Sequence, residues 1–85
     1  MSYQVRIEKK ILKKLEKISE PWYSQIKHSI LELGNEPRPA GTKKLKGQPA
    51  YRIRVADYRI IYEIEDQIRI VDVIDLGHRS EIYGQ

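Results

Sequence analysis

A chain of 85 residues has room for one core and no second, since domains run from roughly 50 to 250 residues, so it is read as a single domain, 1–85. With 40% hydrophobic and 33% charged residues, a mean hydropathy of −0.62 and no cysteine, the composition excludes a disordered chain, a disulfide scaffold and, with no apolar run near roughly 20 residues, a membrane span. The N-terminus has no signal-peptide core and the chain is expected in the cytoplasm; its net charge of +4 is concentrated between Arg38 and Arg59, where seven cations face only Asp57.

An alternating start (Tyr3, Val5, Ile7) predicts a first strand. The spacing of Ile7, Ile11, Leu15 and Ile18 then becomes helical, with Lys9, Lys10, Lys13, Lys14 and Lys17 around the rest of the wheel. Those lysines read as a solvated helix face and are assigned no chemistry. Ser19-Glu20-Pro21 supplies a cap and a proline near a first helical position, and Trp22, Ile26, Ile30 and Leu33 carry a second apolar stripe that ends at Gly34-Asn35. Residues 34–50 have the glycines and prolines of an ordered loop and contain Lys43, Lys44 and Lys46. Beyond them the period is two: Tyr51, Ile53, Val55; then Tyr58, Ile60, Tyr62, Ile64; then an almost wholly apolar run from Ile68 to Leu76, as in a strand covered on both faces. The predicted fold is α+β: an N-terminal strand and an antiparallel helical hairpin packed on one face of a mainly antiparallel four-stranded sheet.

If Ala56-Asp57 is a two-residue hairpin turn, Arg54 pairs with Arg59 and Arg52 with Ile61. Tyr51, Ile53, Val55, Tyr58, Ile60 and Tyr62 then share the buried face, and Arg52, Arg54 and Arg59 gather on the other. Like charges opposite one another on a sheet are destabilising, so this arrangement points to an anion rather than to folding. Pairing with Glu63, Glu65 or Asp57 is the alternative. Phosphate suits the guanidinium fork better, because it accepts two parallel hydrogen bonds. Gly77 allows the chain to turn so that Arg79 folds back toward the same surface, and Tyr83 stands four residues on, an aromatic of the kind that stacks an unpaired base. Two histidines, His28 and His78, without cysteine make a metal site improbable, and no cofactor is expected.

Taken in order, Lys44-Leu45-Lys46-Gly47, Tyr51-Arg52-Ile53-Arg54, Asp57-Tyr58-Arg59-Ile60-Ile61-Tyr62 and Gly77-His78-Arg79 before Ile82-Tyr83 resemble the RelE branch of the RelE/ParE toxin superfamily across essentially the whole chain. The resemblance implies the toxin of a type II toxin–antitoxin pair, an endonuclease that enters the ribosomal A site and cuts messenger RNA without a metal, the ribose 2′-hydroxyl attacking the adjacent phosphorus. By position it assigns Arg52, Arg54, Arg59 and Arg79 to the phosphate and Tyr83 to base stacking, with Lys43, Lys44 and Lys46 expected to bind RNA. It also implies a RelB-like antitoxin, acidic and partly disordered, as partner beside the ribosome and its mRNA.

Two departures qualify this. Better-known members carry lysines where this chain has Arg52 and Arg54, and an arginine is a poor general base at neutral pH. His78 has an unperturbed pKa suited to that role, and a surface turn histidine is the other reading of it. The chain also leaves no length for the C-terminal helix that many relatives have, so the antitoxin is expected to cover the cationic face instead. Competing functions are a ParE-like inhibitor of DNA gyrase without nuclease activity, and a non-catalytic RNA-binding protein; neither needs the arginine set together with Tyr83.

Overall fold

The computed structural model describes residues 2–82, with side chains through Ser80. The element order is β1 (Gln4–Ile7), α1 (Lys9–Glu16), α2 (Trp22–Glu32), β2 (Lys43–Lys44), β3 (Tyr51–Val55), β4 (Tyr58–Glu65), β5 (Ile70–His78) and a single helical turn, α3 (Arg79–Ile82). The sheet order is β1-β5-β4-β3-β2, antiparallel except where β1 runs parallel to β5. It therefore has five strands rather than four. The additional one, β2, is two residues long and pairs with Tyr51 and Arg52 of β3, too short to show any period in the sequence. No longer helix follows β5 among the described residues.

The two helices bury Ile11, Leu15, Ile26, Ile30 and Leu33 against Ile53, Ile60, Tyr62, Val71, Val73 and Leu76 of the sheet. Fully burying an aliphatic side chain contributes roughly 1.5–3 kcal/mol, so this face dominates the stability of a domain that has no disulfide. Trp22, expected on the α2 stripe, is 40% exposed, and Tyr23 packs against the core instead. Ser19 does not cap α2. The Glu20 carboxylate accepts from the Ser24 amide at 3.0 Å and from its hydroxyl at 2.7 Å.

The last strand starts later than the apolar run suggests. Asp66–Arg69 form the turn, Arg69 has a φ of 56°, and Ile68 is 65% exposed. A register shift between Ile61 and Tyr62 breaks the alternation of β5, so that Val71, Val73 and Leu76 face the helices while Ile74 joins Ile61, Ala50 and Leu45 in a small cluster of its own.

Residues 35–42 are fastened to the sheet by polar contacts. The buried Tyr62 hydroxyl donates to the Pro37 carbonyl at 2.7 Å. Arg38 grips Asp66 with two hydrogen bonds, 2.8 and 3.2 Å, and its guanidinium lies 5.2 Å from the Tyr51 ring centre. Asp66 also accepts from the Tyr3 hydroxyl at 2.7 Å, tying the N-terminus to the β4–β5 turn.

Candidate nucleic-acid interface

The hairpin register is the one that a two-residue turn dictates: Tyr51 with Tyr62, Arg52 with Ile61, Ile53 with Ile60, Arg54 with Arg59 and Val55 with Tyr58. Ala56, at φ 54°, supplies the left-handed residue of the turn. Tyr51, Ile53, Val55, Tyr58, Ile60 and Tyr62 of this hairpin pack toward the helices, whereas Ile61, opposite Arg52, packs in the smaller cluster on the other face. Arg52, Arg54 and Arg59 therefore project from the other face, by the alternation of the strand. Across β5, Arg59 stands opposite Gly77, which has no side chain to set against it. The Arg79 amide donates to the Asp57 carbonyl at 2.8 Å, which pins the start of α3 to the hairpin turn.

The result is a small cavity of about 210 Å³ lined by Arg54, Ala56, Asp57, Tyr58, Arg59 and Arg79. Arg52 lies one position along the same face, opposite Lys43 of β2, and lines a wider groove beside α2 together with His28, Glu32, Lys43 and Arg54. Burial, and then the charges of Arg54 and Arg59, lower the pKa of the Arg52 guanidinium from its ordinary value. Its Nε is buried with no hydrogen-bond partner among the described residues. Neither Arg52 nor Arg54 forms an ion pair with Glu63, Glu65 or Asp57 among the described residues. The surface ion-pair alternative therefore fails for these two arginines among the described residues.

The remaining predicted residues are distributed unevenly. Lys43 adjoins Arg52, whereas the Lys44 ammonium donates to the Gln48 carbonyl at 2.8 Å and Lys46 is an exposed turn residue of that loop. His78 is not in the arginine cavity. Its partner across the strands is Tyr58, whose ring it meets edge-on at 5.5 Å, and it lines a groove with Lys14, Lys17 and Ile18. Its Nδ1 lies 3.3 Å from the Ser80 amide and 3.1 Å from the Ser80 hydroxyl. An amide can only donate, so Nδ1 is the acceptor in that contact. Strand period contained this signal, since Leu76 in the core places His78, two residues on, on the same side. Asp57 is a cavity residue that sequence reasoning missed as such. Tyr83 lies outside the described residues. Among the described residues no three His, Cys, Asp or Glu side chains gather as metal ligands do.

A helical hairpin on one face of a five-stranded sheet, with arginines converging on the other, defines a small α+β domain built to present cations. Residues 5–83 match the family described as "ParE toxin of type II toxin-antitoxin system, parDE", and the chain belongs to that toxin family, within the RelE branch of the RelE/ParE superfamily. It is 31% identical to the mRNA interferase toxin RelE of Escherichia coli K12, over 100% of this chain and 94% of that one. Among solved structures it is similar to the archaeal RelE in the RelE–RelB complex of Pyrococcus horikoshii, with a TM-score of 0.83 and 29% identity over 93% of this chain and 97% of the other. The intact E. coli RelBE toxin–antitoxin complex matches with a TM-score of 0.77 and 30% identity over 91% and 96%. No helix is long and apolar enough to cross a membrane among the described residues.

Proposed function

We propose that this toxin is a ribosome-dependent mRNA endonuclease, and that the cavity of Arg54, Arg59 and Arg79 receives the scissile phosphate. The observation that supports it most is the convergence of these three arginines from β3, β4 and the start of α3, at the cost of an Arg54–Arg59 pair directly opposed on the sheet. In the reaction the 2′-hydroxyl oxygen bonds to phosphorus as the bond to the 5′-oxygen breaks. The 2′ proton passes to a base, the departing oxygen takes up a proton, and the ends are a 2′,3′-cyclic phosphate and a 5′-hydroxyl. Negative charge grows on the phosphorane oxygens, where preorganised guanidiniums stabilise it. Arg59, flanked by Arg54 and opposite Gly77, is the central phosphate ligand; Arg52 and Lys43 extend the cationic track along the sheet.

With His78 bonded to Ser80 through Nδ1 and its ring against Tyr58, proton transfer by this protein is a small part of the catalysis. Charge stabilisation and alignment of the RNA on the ribosome carry the rest, which accounts for dependence on the ribosome. The partner is a RelB-like antitoxin, acidic and partly disordered, that folds over the cationic face; RelE relatives form complexes with RelB. The matching family's ParE description favours a second reading, a gyrase inhibitor. Sequencing RNA 5′ ends in cells after induction separates the two. Cuts within translated codons are expected, whereas continued translation with accumulating DNA breaks would establish the gyrase reading.

A further inference from the structure

The lysines of α1 gain a role from what they face. A groove of about 510 Å³ runs between the C-terminal half of α1 and the ends of β4 and β5, lined by Lys14, Lys17, Ile18, Tyr58, Leu76, Gly77, His78 and Ser80. It meets the arginine cavity at Tyr58, which lines both, and Arg79 and Ser80, consecutive in the chain, stand one in each. The groove has the parts a nucleotide requires: ammonium groups for a phosphate, the edge-on Tyr58–His78 pair as an aromatic wall, and the Ser80 hydroxyl as a polar contact.

Charge within it is only partly compensated. Lys14 reaches Asp75 at 3.3 Å, while Lys17 makes no ion pair among the described residues. Glu8, the other acid paired on this helix, is held by Lys10 at its far end. Lys9, Lys13 and Lys17 repeat at four-residue spacing, as do Lys10 and Lys14, and each like-charged pair costs a helix roughly 0.2–0.5 kcal/mol. Lysine does suit a helix C-terminus, which accounts for Lys14 and Lys17 singly but not for the repeat.

We infer that this groove is a second RNA subsite, holding the next nucleotide beyond the two that flank the scissile phosphate, with its phosphate on Lys17 and its base against Tyr58 and His78. The inference rests on the proposal that the arginine cavity holds RNA phosphate. The test is an NMR titration of the full-length toxin with uncleavable 2′-deoxy-substituted oligonucleotides of two lengths. A dinucleotide should shift the amides of Arg54, Arg59 and Arg79 alone, and a tetranucleotide should add those of Lys17, Ile18 and Ser80. Lys17→Glu should weaken the tetranucleotide by about tenfold, the worth of one charge-assisted contact, and leave the dinucleotide unchanged. A tetranucleotide that shifts only the arginine set, or a Lys17→Glu variant that binds it as tightly as the native chain, overturns the second subsite while leaving the first. No shift in either set at millimolar oligonucleotide overturns both.

Discussion

Replacing Arg54 by Gln separates folding from function, because the two respond in opposite directions. The substitution keeps the apolar stem and removes a charge that stands directly opposite Arg59 and makes no ion pair among the described residues. Relief of a like-charged cross-strand pair stabilises by roughly 0.2–1 kcal/mol. In a domain of this size that amounts to a rise in Tm of about 1–6 °C. The cavity, however, loses one of its three guanidiniums. Removing one preorganised donor from a developing oxyanion costs roughly 10²–10³ in rate. Thermal melting paired with single-turnover cleavage on programmed ribosomes reads both quantities. A variant that melts well below the native protein would make Arg54 a folding residue, and one that cleaves within about threefold of the native rate would remove it from the phosphate site.

Three further outcomes follow from the geometry. His78→Ala should slow cleavage by less than about threefold, against the roughly 10²–10⁴ expected of a positioned general base, in the same single-turnover assay. Gly34→Ala should destabilise the domain by about 1–3 kcal/mol in urea melts, because a Cβ there would lie 2.9 Å from the Tyr3 carbonyl oxygen, a backbone atom that cannot swing aside. Asp66, hydrogen-bonded by Arg38 and Tyr3, has its pKa lowered to about 2 from 3.8. A depressed carboxylate stabilises the fold above its unfolded value and loses that contribution as pH falls through the folded one, so melts of the native chain should weaken between those two values and melts of Asp66→Asn should be less sensitive there.

The arginine face was legible because one local rule decides it. A two-residue turn at Ala56-Asp57 fixes the register, and register fixes which side chains share a face. Where regularity is interrupted, the sequence misleads: the shift at Ile61/Tyr62 puts Val73 and Ile74 side by side so that β5 reads as apolar almost throughout, and Ile68 extends the run although it sits in an exposed turn. Two residues of β2 have no period to read. The site is harder to read where it depends on contacts distant in sequence. Arg38 belongs to the same cationic stretch as Arg52 yet is held by Asp66, and only the packing of α1 against β5 brings Lys14 and Lys17 to His78.

The chemistry of the new RNA ends distinguishes cleavage by this toxin from every other outcome on the ribosome. Purified toxin is added to ribosomes programmed with a defined message, and the new termini are identified with and without Arg59→Ala. A 2′,3′-cyclic phosphate and a 5′-hydroxyl are expected at a cut within the A-site codon, with no cut in the same RNA without ribosomes and loss of the cut with the variant. A native toxin that leaves the message intact on the ribosome, or an Arg59→Ala variant that cuts it as fast, would contradict the proposed function.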